Sequence, residues 1–103
     1  MDLAEMVYGY TEELPSIEQF GLKVQMRRSV VSIPSNIAEG RGRGTRKDFC
    51  YFLRIALGSC NELETQLELS KRIYKIDLNN KDIKLLLTEV VKMLKTFIKK
   101  LNV

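Results

Sequence analysis

The sequence predicts an all-α protein, an antiparallel up-and-down four-helix bundle that forms a single domain over residues 1–103. Apolar residues recur at steps of three and four along four segments, as they do on one face of an α-helix. Nowhere do apolar and polar residues alternate over a long enough stretch to indicate a strand. Turn-forming residues separate the segments at Pro15, at the glycine-arginine run 40–44 and in the predicted turn Tyr74–Asn80. Connections this short place successive helices antiparallel to one another.

The first predicted helix covers Leu3–Leu14 and ends at Pro15. The second begins near Leu22 and has almost no solvent face, because three stripes line most of its circumference. These are a first apolar stripe (Leu22, Met26, Val30, Ile33, Ile37), a small polar stripe (Gln25, Ser29, Ser32, Asn36) and a second apolar stripe (Val24, Val31, Ala38). A surface helix of a monomer needs only one apolar stripe, so we expect this helix to lie centrally, between helices or between chains.

Pro34 lies within the second helix and removes one backbone hydrogen bond, which costs about 3 kcal/mol in a helix interior. One alternative is a helix that ends at Ile33. Because Ile33 and Ile37 keep the spacing of the first apolar stripe, we favour a helix that is kinked at Pro34 and capped by Gly40. We expect the small polar stripe to lie at a close helix contact.

The third predicted helix begins near Arg46, after a capping box formed by Thr45 and Asp48, and runs to about Ile73. A second apolar strip lies on the same helix, more than 90° around the helix axis from the core face. The core face consists of Phe49, Phe52, Leu53, Ala56, Cys60, Leu63 and Leu67, and the second strip of Tyr51, Ile55, Leu69 and Ile73. The fourth helix, from about Lys81 to Leu101, is amphipathic, with lysines opposite its apolar face.

The second apolar strips on two helices predict a homo-oligomer, because a monomer seldom exposes contiguous apolar surface of this kind. The candidate interface residues lie on or beside these strips: Val24, Arg28, Val31, Ser35, Ala38, Glu39, Tyr51, Ile55, Glu62 and Leu69. Glu62 borders the apolar strip of the third helix. We expect its carboxylate to pair with an arginine from another helix, for example Arg28.

Positive charge is concentrated in two blocks of a chain whose net charge is +4. Residues 23–47 carry seven bases and one acid, and residues 71–103 carry nine bases and three acids. The candidate nucleic-acid residues are Arg41, Arg43, Arg46 and Lys47 on the turn before the third helix, and Lys92, Lys95 and Lys99 on the fourth helix. Such blocks fit a polyanion partner, and they fit equally neighbouring helices of opposite charge. A solvated turn and a soluble helix face are further alternatives for the two sets of cations.

The residue types needed for common catalytic and metal sites are missing. Without histidine the chain has no Ser-His or Cys-His nucleophile, and Cys50 and Cys60 stand about 15 Å apart along one predicted helix. The run 40–44 matches neither a nucleotide phosphate loop nor a dinucleotide fingerprint. We therefore expect no catalytic residues, no cofactor, no metal and no enzyme activity, with a hard-ion site on glutamates as the remaining alternative. The acidic N-terminus and the lack of a long apolar run lead us to expect a cytoplasmic protein that does not contact membranes.

Several short motifs over about residues 5–101 resemble the bacterial four helix bundle protein family, also known as the 23S ribosomal RNA intervening-sequence protein family. The most specific are S-I-P-S-N-I-A-E-G, from Ser32 to Gly40, and G-S-x-x-E-L-E, from Gly58 to Glu64. The others are Phe20-Gly21-Leu22, Gln25, Arg27-Arg28, Phe52-Leu53 and Ala56. The chain departs from the family at its first helix, which starts almost at Met1, whereas family members usually have another turn or two upstream.

The resemblance implies an antiparallel bundle that assembles as a ring-like homopentamer, with no known catalytic residues. It also implies candidate partners, because the family includes the accessory protein of diversity-generating retroelements, which binds a reverse transcriptase and nucleic acid. Other members are encoded inside intervening sequences of ribosomal RNA genes. We therefore expect a non-enzymatic oligomeric adaptor that binds RNA, DNA or a nucleic-acid–protein complex. The alternative is a structural or regulatory protein-interaction ring that binds no nucleic acid.

Overall fold

Four α-helices form an antiparallel bundle in the computed structural model, which describes residues 2–75 and 80–101. The helices are α1 (Asp2–Glu12), α2 (Leu22–Gly42), α3 (Arg46–Tyr74) and α4 (Asn80–Leu101), with a short 3₁₀ helix, Ser16–Glu18, after α1. The predicted fold class is confirmed, and no described residue belongs to a strand. The middle of the turn predicted over Tyr74–Asn80, residues 76–79, lies outside the described residues. None of the described helices is both long enough and apolar enough to cross a bilayer.

The core forms where the inward faces of the four helices meet. The first apolar stripe of α2 lies at its centre, since Met26, Val30 and Ile33 are all completely buried. The other helices contribute Leu3, Val7 and Tyr10 from α1, Leu53, Ala56, Cys60, Leu63 and Leu67 from α3, and Ile83, Leu87 and Leu94 from α4. The two phenylalanines predicted for the core face of α3, Phe49 and Phe52, are only half-buried. Phe49 packs against the core cluster, whereas the ring of Phe52 lies 5.1 Å from the guanidinium carbon of Arg43.

Arg27 ties α1 to the start of α2. Its guanidinium lies 4.4 Å from the centre of the Tyr8 ring and donates to Thr11 Oγ1 at 2.8 Å. The same guanidinium also donates to the backbone carbonyl of Tyr8 and forms an ion pair with Glu12 at 2.6 Å. The ammonium group of Lys23 lies 3.5 Å from the same carboxylate. These two cations hold the pKa of Glu12 below its ordinary value. The end of α1 therefore lies against the start of α2, as the antiparallel topology requires.

Gly40 is a packing residue and not the predicted helix cap. Helix α2 continues to Gly42, and the glycine with a left-handed backbone is Gly44, at φ 86° in the turn before α3. A Cβ atom on Gly40 would lie 2.7 Å from the Cβ of Phe52, which is too close for two carbon atoms that are not bonded to each other. Helix α3 thus crosses α2 at a point where only a glycine fits.

Helix α2 continues through Pro34, so the alternative of a helix that ends at Ile33 is wrong. The turn around the proline is held by Asn36, whose amide donates to both the carbonyl and the hydroxyl of Ser32 at 2.8 Å. A side chain thereby reinforces the backbone beside the missing donor. The kink at Pro34 itself stays a prediction.

Glu18 fixes the connection between α1 and α2 through both of its carboxylate oxygens. One accepts from the backbone N–H of Leu22 at 2.9 Å, at the start of α2, and the other accepts from the hydroxyl of Tyr74 at the end of α3. The bond from Tyr74, followed by the bond from Leu22, holds the pKa of Glu18 below its ordinary value of 4.5. One carboxylate thus joins the connector, α2 and α3.

Replacing Gly40 by alanine is expected to destabilise the protein by about 1–3 kcal/mol, because the new methyl group overpacks the α2–α3 contact. The matched control is Gly42→Ala, where a Cβ would meet no atom within 4 Å. This change is expected to be neutral or to stabilise by up to about 1 kcal/mol. Urea unfolding of both variants measures the difference, and equal midpoints would contradict the close contact at Gly40.

Replacing Glu18 by glutamine is expected to lower stability at neutral pH and to have a diminishing effect as the pH falls. A carboxylate whose pKa is depressed on folding contributes stability above its unfolded pKa, near 4.5, and loses it as acid protonates the folded group. Thermal unfolding of both proteins between neutral and acidic pH tests this. Glu13→Gln, at an exposed site on the same connection, is the control. A difference that is constant across this range would show that the charge on Glu18 does not matter.

Candidate functional site

The structure brings the two predicted sets of basic residues to one end of the bundle. The ring of Phe49, at the start of α3, lies 5.9 Å from the ring of Phe97, near the end of α4. The turn before α3 and the last turns of α4 are therefore neighbours. We refer to the exposed cations there as the basic end: Arg41, Arg43, Arg46, Lys47, Lys92, Lys95 and Lys99.

Most cations of the basic end are available to a partner. Arg43 is the exception, because its guanidinium pairs with Glu39 at 3.1 Å and lies 5.1 Å from the centre of the Phe52 ring. Within residues 2–75 and 80–101, none of the other six forms an ion pair. The positive field at this end is therefore only slightly offset by carboxylates of the chain itself.

The N-terminus of α3 is partly satisfied by its own residues. Thr45 Oγ1 accepts a hydrogen bond from the backbone N–H of Asp48 at 3.1 Å, which confirms the Thr45 half of the predicted capping box. Among the described residues, the Asp48 carboxylate makes no bond back to the backbone N–H of Thr45. Asp48 also places a carboxylate in the first turn, where it complements the helix dipole. The attraction for anions at this end thus rests mainly on the side chains of the basic end.

All ten candidate interface residues lie exposed on the outside of α2 and α3. We refer to them as the association face: Val24, Arg28, Val31, Ser35, Ala38 and Glu39 on α2, and Tyr51, Ile55, Glu62 and Leu69 on α3. Five are large apolar side chains, of which Tyr51 is 60 % exposed and Ile55, the least accessible, is 36 % exposed. A single chain leaves this apolar surface in contact with solvent.

A polar cleft of about 440 Å³ separates α2 from α3. It is lined by residues of the small polar stripe and by polar residues of α3: Gln25, Arg28, Ser29, Ser32, Ser59, Glu62 and Gln66. Ser32 and Ser59 span the helices with a bond of 2.8 Å between their hydroxyl oxygens, so the polar stripe lies at a close helix contact as predicted. Arg28 and Glu62 line the same cleft, yet they do not form the expected ion pair within the chain.

The hydroxyl protons at this contact are already committed. The amide of Asn36 donates to Ser32, and Ser59 donates to the carbonyl of Ile55 at 3.3 Å, so the proton between the two serines comes from Ser32. Deeper in the cleft, Gln66 is more than 90 % buried, and its Oε1 atom accepts no hydrogen bond. Among the described residues, the Oε1 atom of Gln66 is therefore a buried acceptor that stays unsatisfied in this cleft.

The described residues form no cluster of three or more side chains suited to a metal ion. Burial raises the pKa of the Cys60 thiol to about 11, and Cys50 is buried as well. A thiol in such surroundings is protonated at neutral pH and is a poor nucleophile. Both cysteines thus act as small apolar core residues.

Sequence reasoning missed the structural role of Arg27 and the position of Gln66. Arg27 and Arg28 are adjacent and of the same type, but a rotation of about 100° per residue turns the first towards α1 and the second towards the cleft. Gln66 follows the spacing of core residues on α3, since it stands seven residues after Ser59. Its polar side chain gave no signal that separated it from a surface residue.

Comparison with known protein families relates this fold to a described group. Residues 1–96 match the family described as 23S rRNA-intervening sequence protein. No significant match was found among curated proteins. Because the match covers nearly the whole chain and the fold is the expected four-helix bundle, the chain belongs to the 23S rRNA-intervening sequence protein family.

Proposed function

We propose that this protein is a non-enzymatic oligomeric adaptor that binds RNA, alone or within a nucleic-acid–protein complex, through its basic end. The observation that carries the proposal is the convergence of the basic turn and the lysines of α4, joined by the contact between Phe49 and Phe97. Six cations without ion pairs among the described residues share this end of an otherwise mixed surface. Such a concentration of positive charge is typical of proteins that bind a nucleic-acid backbone.

Binding at the basic end is directed to phosphate and tolerates many sequences. Phe97, which is 41 % exposed, packs edge-on against Phe49, and the ring of Phe52 lies under Arg43. Because these rings already pack against other side chains of the protein, we expect charge and not base stacking to supply the affinity for RNA. The arrangement favours a positioning role on RNA over recognition of one sequence.

Self-association is expected to strengthen the binding of RNA by the basic end of each chain. The association face leaves five large apolar side chains exposed in a single chain, and covering them with further copies joins several basic ends in one particle. Linked sites bind a polyanion more tightly than separate sites, because each contact raises the local concentration for the next. A pentamer, as the family resemblance implies, presents five basic ends.

The name of the family connects it with ribosomal RNA genes, so structured ribosomal RNA is the first ligand to test. DNA and a reverse transcriptase remain further candidate partners. The second candidate function is a structural or regulatory protein-interaction ring without nucleic acid, which the exposed apolar residues of the association face favour by themselves. Non-enzymatic action accords with the burial of both cysteines and with the raised pKa of the Cys60 thiol.

Removing charge from the basic end is expected to weaken RNA binding and to flatten its dependence on salt. The first variant replaces Arg41, Arg46 and Lys47 by alanine, and the second replaces Lys92, Lys95 and Lys99. Each lost phosphate contact lowers the slope of log affinity against log salt by about 0.7 for single-stranded RNA. Filter binding or mobility shift with several unrelated RNAs across a salt series measures the slopes, and all sequences are expected to weaken alike.

The matched control removes three cations from elsewhere on the surface, by replacing Lys71, Arg72 and Lys84 with alanine, so net charge falls equally. This control is expected to retain most of the binding and most of the slope. Equal losses in all three variants would show that net charge alone attracts RNA. Absence of binding by the unmodified protein even at low salt would favour the protein-interaction ring.

A further inference from the structure

We propose that two lines of outward-facing residues pack against each other between two copies of the chain, so that Arg28 of one chain pairs with Glu62 of the partner subunit. We refer to them as the exposed stripe of α2 (positions 24, 28, 31, 35 and 38) and the exposed stripe of α3 (positions 51, 55, 58, 62, 65 and 69). The inference rests on the self-association proposed above and adds the pairing of helices and the residues that select it. A second copy is the occupant because the two stripes complement each other in charge and in size, while each repels its own kind.

The two stripes have the spacing of coiled-coil seams. On α2 the exposed residues stand at positions 24, 28, 31, 35 and 38, with steps of four, three, four and three. On α3 the corresponding positions are 51, 55, 58, 62, 65 and 69, with steps that alternate in the same way, and only Gly58 is as much as half-buried. Residues that recur every 3.5 positions keep one line along a helix and face a partner helix. In the single chain no helix covers either line.

Charge decides which stripes can meet. Each seam carries one charged residue near its middle, Arg28 on α2 and Glu62 on α3. If α2 packed against α2, two arginines would be brought together, and if α3 packed against α3, two glutamates would be. Packing α2 against α3 of the next copy brings opposite charges together. Buried polar residues in such seams select the partner in this way.

The sizes of the side chains point to the same pairing. The second half of the α2 seam is small, with Ser35 and Ala38, whereas the α3 seam carries the bulky Tyr51, Ile55 and Leu69. Bulky side chains pack well against small ones. Two facing stripes of small side chains would leave voids, and two facing stripes of bulky side chains would clash.

The polar cleft leaves both charges open to a second copy. Arg28 and Glu62 are exposed and line the cleft between α2 and α3, and neither forms an ion pair among the described residues. An arginine guanidinium carries five N–H donors and an ionised carboxylate only accepts, so each side chain has hydrogen-bonding capacity that the other can satisfy. Arg28 of a second copy can therefore donate to Glu62 in this cleft.

Charge reversal tests the pairing directly, with native mass spectrometry as the measurement of assembly. Arg28→Glu and Glu62→Arg are each expected to raise the concentration needed for self-association at least tenfold, because like charges then meet in the seam. The double variant Arg28→Glu/Glu62→Arg is expected to recover self-association. An equal mixture of the two single variants is expected to form mixed assemblies, which their different masses identify.

Controls and contrary outcomes separate this pairing from its alternatives. Lys100→Glu and Glu89→Arg reverse the charge of exposed residues on α4 and are expected to assemble like the unmodified chain. Circular dichroism verifies that all variants fold. Single variants that assemble normally would overturn the α2–α3 pairing while leaving the proposed oligomer intact. Rescue in the double variant, with no mixed assemblies at all in the mixture, would place the ion pair inside one chain. A ring of five formed from the mixture keeps one contact between like charges, so its recovery is expected to be smaller than that of the double variant. A monomeric unmodified chain would overturn both proposals.

Discussion

The close approach of α2 and α3 is the constraint on which the rest of the structure depends. Gly40 lets the backbone of α2 come so near α3 that an added Cβ would lie 2.7 Å from Phe52, and Ser32 bonds Ser59 at 2.8 Å further along. Because α2 uses its small residues for this contact and Met26, Val30 and Ile33 for the core, its remaining apolar residues are left facing outwards. The exposed association face is thus a consequence of how tightly the two central helices pack.

Helix positions and the core could be predicted because they depend on local chemistry. The spacing of apolar residues marked all four helices, and Thr45 marked the start of α3 through a bond that forms within one turn. The role of Gly40 could not be predicted in the same way. A glycine near a helix end is commonly a cap, and only the distance to a residue twelve positions later shows that it is a packing residue.

The candidate sites likewise consist of features that local sequence predicts and features that depend on tertiary contacts. Residue type and spacing were enough to select the cations and the outward apolar residues, since both follow from the periodicity of a helix. That the two basic sets form one end depends on the contact between Phe49 and Phe97, which joins residues 48 positions apart. That the Oε1 atom of Gln66 is buried without a donor depends on how α2 and α3 pack around their shared cleft, and no local pattern encodes that.

The two surfaces meet where Arg43 of the basic end pairs with Glu39 of the association face. Elsewhere they lie apart, because the association face runs along α2 and α3 and the lysines of the basic end lie on α4. The proposed assembly through the association face would therefore leave the cations of α4 open to a polyanion. The proposed adaptor requires that the association face is covered in solution, and sedimentation velocity of the unmodified protein at micromolar concentration tests this most directly. We expect a single species whose mass is a multiple of the chain mass, and a monomer at every concentration would contradict the proposed assembly.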